Sequence, residues 1–117
     1  KMDSTVIRMR SESRTDLKYV SQAIISSSDM AGAELVLEQL SDANDAKVLL
    51  LVFEKFYLRN SSMTACTIQI VDDGQKQAAV IVGTGGGDGI FNISWGTNSN
   101  FACKAANSLA ALGFSEI

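Results

Sequence analysis

KVLLLVFEKFYLR, residues 47–59, is the stretch that decides the fold. Val48, Leu50 and Val52 alternate with Leu49, Leu51 and Phe53, so an extended chain here is apolar on both sides. Glu54, Lys55, Phe56, Tyr57, Leu58 and Arg59 then make the second half amphipathic, with Lys55, Tyr57 and Arg59 sharing one side. A strand apolar on both sides belongs in the middle of a sheet with cover on each face. In a chain of 117 residues the second cover comes from the chain itself or from a partner subunit.

The segments on either side read as further strands. Residues 63–71 alternate Cys66, Ile68 and Ile70 against Thr67 and Gln69. Asp72-Asp73-Gly74 is a strong hairpin signal, and residues 78–82 form the returning strand. Residues 83–89 are a glycine-rich connection, followed by a strand over 90–95 with Phe91, Ile93 and Trp95 on one side. Upstream, residues 31–40 suit a strand through Leu35, Val36 and Leu37, while Ala, Leu and Glu there keep a helix as the rival. Residues 4–10 form a strand with Ile7 and Met9 inward.

Two helices complete the pattern. Over residues 13–28, Leu17, Val20 and Ile24 fall on one helical face, and Ser13 with Asp16 resembles a capping box. Over residues 97–112, Phe101, Ala105, Leu109 and Leu112 form one stripe, with Thr97 or Ser99 as cap. Gly113 stands where a left-handed stop residue is wanted, with Phe114 folding back on Leu109. The predicted fold is a single α+β domain over residues 1–117. It holds an antiparallel meander of about five or six strands, with a helix in the N-terminal half and a C-terminal helix packed on one face.

Composition narrows the function. The apolar fraction is 46% and the charged fraction 20%, ordinary values for a globular chain, which at this length buries roughly 65% of its unfolded surface. A net charge of −3 with scattered Lys and Arg argues against nucleic acid. No run approaches a membrane span. The first residues hold no signal-peptide apolar core, so the expected location is the cytoplasm. The chain has no histidine, which removes the commonest general base and the commonest metal ligand together. Cys66 and Cys103 read as small core thiols rather than as a pair. No catalytic residue, metal site or cofactor is implied.

Three constellations remain. Gly85, Gly86, Gly87 and Asp88 lie in a loop that leads from strand to strand. It lacks the helix and the GxxxxGK[ST] pattern of a phosphate loop, so the first reading is a turn and the second a ligand loop with backbone N–H donors. Lys55, Tyr57 and Arg59 form a row that suits an anion, against a solvated strand end. Trp95 reads as packing before it reads as a stacking platform. Asp72 and Asp73 read as turn chemistry. A carboxylate enzyme would need Glu54 and Asp88 within about 10 Å in one cleft.

The run 51–60, LVFEKFYLRN, followed by GGGDGIFNISWG over 85–96, resembles a family of small uncharacterised bacterial proteins. Its members share a strand of the type V-[FY]-E-[KR]-aromatic, a GG-x-x-G-x-F turn and strand, and a terminal helix. The resemblance implies a cytoplasmic bacterial protein and carries over no catalytic residue. The order of elements is also similar to a reduced helix-grip fold. The function expected is a non-enzymatic binding or interaction module that self-associates, in its simplest form as a homodimer. The alternative is a small anionic-ligand binder built on the 83–89 loop.

Overall fold

A computed structural model describes residues 4–58, 61–86 and 96–117. The chain runs β1 (Ser4–Ser11), α1 (Leu17–Ile25), a short 3-10 helix (Ser28–Met30), β2 (Glu34–Ala43), β3 (Ala46–Tyr57), β4 (Ser62–Asp72), β5 (Gln77–Gly85), α2 (Thr97–Ala110) and β6 (Ser115–Glu116). The six strands form one sheet in the order β2-β3-β4-β5-β1-β6, antiparallel at every pairing. The α+β antiparallel architecture expected from the sequence is therefore the one observed. Within residues 31–40 the strand runs from Glu34, because the apolar run at Leu35–Leu37 finds a partner in β3. The strand expected over 90–95 lies outside the described residues.

The register explains the core. Opposed residues in an antiparallel ladder share a face. Leu49, Leu51 and Phe53 of β3 stand opposite Ile70, Ile68 and Cys66 of β4. Ile70 and Ile68 in turn face Ala79 and Ile81 of β5, and Ile81 and Ala79 face Ile7 and Met9 of β1. All of these are buried, in one cluster with Leu17, Val20 and Ile24 of α1 and Phe101, Ala105 and Leu109 of α2. Both helices thus lie on this face. α2 packs across β1, β4 and β5, while α1 packs over β2 and β3.

The element ends are set by local bonds. Asp16, not Ser13, caps α1: its Oδ1 accepts from the Lys18 N–H at 3.4 Å, and Ser13 instead bonds Ser11. α2 begins at Gly96, which takes a left-handed φ of 75° without a side-chain cap, so neither Thr97 nor Ser99 plays that part. Its far end follows the expected stop. Gly113 has φ 98°, and its N–H reaches the Ala110 carbonyl at 3.1 Å. The Phe114 N–H reaches the Leu109 carbonyl at 3.2 Å. Phe114 is buried with the core.

The glycine-rich connection begins later than the sequence suggests, because Gly83 and Gly85 belong to β5 itself. The reason at Gly83 is space. α2 crosses the strand so closely that a Cβ there would overlap the carbonyl oxygen of Asn98. At the opposite end of β5 the Asp72-Asp73-Gly74 hairpin is observed. The Asp72 Oδ1 accepts from the Gly74 N–H at 2.9 Å, and the Asp73 Oδ1 accepts from the Gln75 and Lys76 N–H groups at 2.9 and 3.0 Å. Burial pushes the Asp72 carboxyl up. Hydrogen bonds from Gly74, Gln77 and Arg14 outweigh it and leave the group below its ordinary value.

Two outcomes follow. Replacing Gly83 by Ala forces α2 off the sheet and is expected to cost about 1–3 kcal/mol, read as a lower urea midpoint; an unchanged midpoint would disprove the close crossing. Asp73 is held down to about 2 from 3.8, by the Lys76 and Gln75 backbone N–H groups and then the Lys76 side chain. Its folded value is depressed, so its contribution is complete above pH 3.8 and fades as pH falls toward 2. An Asp73→Asn variant should therefore lose less stability than wild type over that window, measured by thermal melts; parallel curves would contradict it.

Candidate functional site

The six-stranded sheet has a second face, and no described element covers it. Continuing the registers across five strands places residues in rows. One row is Leu37, Val52, Thr67, Val82 and Val6. The next is Gln39, Leu50, Gln69, Val80 and Arg8, and the third is Ser41, Val48, Val71, Ala78 and Arg10. The first of the four, at the other end, is Glu34, Glu54, Ala65, Thr84 and Ser4. Val48, Leu50, Val52, Val71, Val80 and Val82 are half-buried, while Val6 is 49% and Leu37 38% exposed. Thr67 and Gln69 of β4 stand at the middle of this face, flanked by aliphatic strips of Val48, Leu50 and Val52 on β3 and Val80 and Val82 on β5, and its charged groups sit at two diagonal corners.

The sequence reading found one column of this surface, Val48-Leu50-Val52, and missed the rest. β3 is interior to the sheet but second from its edge, and the described helices cover one of its sides. The missed residues had the same signal. Val80 and Val82 alternate with Ala79 and Ile81 in a strand that is also apolar on both sides, and Val6 alternates with Ile7 in β1, whose outward side continues into Arg8 and Arg10.

The anion-site residues gather elsewhere, around the start of α2. Lys55 and Tyr57 project on the helix-covered face, continuing Leu49, Leu51 and Phe53. Tyr57 Oη donates to Asn100 Oδ1 at 3.0 Å, and its ring meets Phe101 edge-on with centroids 6.4 Å apart. Lys55 Nζ lies 5.2 Å from the Tyr57 ring centre and 5.9 Å from that of Phe101, a cation over aromatic faces.

Gly85 and Gly86 approach the same helix from β5. Their φ angles are 83° and 78°, a region that favours glycine. The Gly86 N–H donates to the Met63 carbonyl at 2.8 Å, and the Gly86 carbonyl accepts from Ser62 Oγ at 3.1 Å. Asn98 of α2 ties the sheet end together: its Nδ2 donates to the Gly85 carbonyl at 3.1 Å, and its Oδ1 accepts from Thr5 Oγ1 at 2.6 Å. Thr64 and Thr97 meet Oγ1 to Oγ1 at 3.3 Å. The structure thus brings Lys55, Tyr57, Gly85 and Gly86 to one end of the sheet. Arg59, Gly87, Asp88 and Trp95 lie outside the described residues.

Neither cysteine is in a disulfide. Cys66 is in the core, as expected, and burial pushes its thiol up to about 12. Cys103 is exposed, because on α2 it falls off the Phe101-Ala105-Leu109 stripe; the expectation of a core position was wrong for it. Among the described residues no three of His, Cys, Asp and Glu group as a metal site, and no helix is long and apolar enough to cross a membrane.

A family model described as "Family of unknown function (DUF6054)" matches residues 2–113. The match spans nearly the whole chain, so the chain belongs to that family. No curated protein and no solved structure matches it.

The two thiols should separate in a labelling experiment. A thiol-specific disulfide reagent on the native protein should modify one group per chain quickly, at Cys103, and the second only in denaturant. Rapid native labelling of both would show that Cys66 is not held in the core.

Proposed function

We propose that this member of the family is a non-enzymatic interaction module that self-associates, the second copy covering the open sheet face. The observation that carries this reading is a pair of aliphatic strips on that face, Val48, Leu50 and Val52 of β3 and Val80 and Val82 of β5, on either side of Thr67 and Gln69 of β4 and opposite a face on which both described helices already lie. Apolar surface of that extent is usually withdrawn from water by a partner. Five strands at about 4.8 Å spacing and four rows at about 6.7 Å give a patch about 20 Å square between residue centres. With its side-chain border, two copies would bury on the order of 1,000 Å², the lower bound for a specific interface. Cys66 and Cys103, both unpaired, support placing the module in a reducing compartment, the bacterial cytoplasm of the resemblance.

The other exposed route to self-association is less favourable. The edge strand β2 is exposed along its whole length. It carries Glu34, Glu38 and Asp42 and no base, so pairing two copies edge to edge would set acid against acid. It also contains an extra residue between Leu35 and Leu37, a bulge of the kind that blunts edge pairing.

The anionic-ligand reading has weaker support. Lys55, the cation among its described residues, rests over two rings, and the Gly86 N–H is engaged by Met63. The carboxylate-enzyme reading rests on Glu54, which is exposed on the open face.

The test is the oligomeric state. Sedimentation equilibrium should show a dimer for the wild type at micromolar concentration. Leu50→Lys should shift the population to monomer by at least about tenfold in Kd, with unchanged circular dichroism. A wild type that stays monomeric at high micromolar concentration would end the proposal.

A further inference from the structure

The charges on the open face are placed so that they select one geometry for the second copy. This inference rests on the self-association reading above. Arg8 and Arg10 are both exposed and successive on β1, on the open face. Glu34 and Glu54 are directly opposed across β2 and β3 on the same face, at the diagonally opposite corner. Like charges directly opposed destabilise a ladder. Neither Glu34, Glu54 nor Arg8 forms an ion pair among the described residues. Arg10 has only an exposed contact with Glu12 at 3.5 Å. Each corner therefore holds like charges, of which Arg10 alone has an ion-pair partner among the described residues.

Two identical faces can meet only about a two-fold axis lying in the plane between them. Three simple axes are available. An axis along the strands lays β1 over β2, so Arg8 and Arg10 fall on Gln39 and Ser41. An axis across the strands lays β1 on β1 and puts Arg10 over Ser4. The third runs along the diagonal from Ser41 to Ser4. On the grid of rows and columns it carries Arg10 onto Glu34 and Arg8 onto Glu54, each within about 2 Å in projection. The same operation leaves Leu50 and Val82 close to their own copies, lays Val52 on Val80 and Leu37 on Ala78. Val6 falls beside Thr84 and Val48 beside Gln39, while the other apolar positions named meet apolar positions, and both like-charge corners are neutralised at once. The strands of the two sheets then cross at about 90°, the orthogonal mode of sheet packing.

We infer that the partner is a second copy of this chain docked orthogonally about the Ser4–Ser41 diagonal, Arg8 and Arg10 of each copy facing Glu54 and Glu34 of the other. Charges at the rim of an apolar contact select the partner and its orientation. Here they also disfavour the two aligned packings, which leave both corners unneutralised.

The experiment uses two reversal variants of the full chain, R8E/R10E and E34R/E54R, each checked for native circular dichroism. In either one alone, both contact corners carry like charges, and self-association should weaken by about tenfold or more at about 0.15 M salt. Mixed in equal amounts, the two variants are complementary at both corners. They should form a heterodimer at least as tight as the wild-type dimer, read by sedimentation equilibrium of one fluorescently labelled partner. Recovery on mixing supports the diagonal axis and shows that neither variant has merely misfolded. A wild-type dimer that L50K dissociates but that the reversals leave unchanged overturns the axis and leaves the self-association reading standing. So does a mixture that binds no better than its components. A monomeric wild type overturns both.

Discussion

The side-chain period of two, locked across neighbouring strands by antiparallel register, is the constraint on which the rest of this structure depends. Once Leu49 stands opposite Ile70, every other residue of five strands is assigned to a face. One face collects Phe53, Ile68, Ile81 and Met9 beneath the two helices. The other collects Leu50, Val52, Val80 and Val82, which have no choice but to point away from them. In a sheet of one-sided strands that outer set would be polar. Here β3 and β5 are aliphatic on both sides, so the packing that builds the core also builds the aliphatic part of the open surface.

The helices are seated by backbone fit as much as by apolar area. α2 touches β5 where Gly83 removes a side chain, and Asn98 bridges Gly85 to Thr5. Much of the polar chemistry a reader would assign to a ligand is absorbed here in fixing the helix to the end of the sheet. The Tyr57 hydroxyl goes to Asn100, and the Lys55 ammonium goes to the faces of Tyr57 and Phe101.

How much of this was legible depends on the range of the interaction. The strand alternation, the α2 stripe and the Gly113 stop are local patterns, and they were read correctly from residues a few positions apart. The two-sided character of residues 48–53 was also visible. Which side stayed uncovered was not, because that depends on α1 and α2 choosing the same face. The rows joining Val6 to Val82 and Leu37 to Val52 need registers between distant segments, so the diagonal corners could not be seen. The caps failed for a related reason. Ser13 was bonded to Ser11, and the start of α2 required a left-handed glycine rather than a hydroxyl. Cys103 was misplaced because a thiol's identity does not say where on a helix it falls.

Val36, the extra residue in β2, has a consequence for how this surface could arise or be lost. It resets the phase of the strand: Leu37 stands opposite Val52, yet Leu35 stands opposite Phe53. Paired as an ordinary ladder residue, Val36 would bring Glu34 opposite Lys55 on the helix side and turn Leu35 outward beside Glu54. The bulge absorbs the extra residue, so deleting Val36 would leave Glu34 opposite Glu54 and both halves of β2 in register. Straightening the strand with Val36 retained would instead exchange an acid for a leucine at that corner. A relative one residue shorter here would thus present the same glutamate on the same side of the molecule.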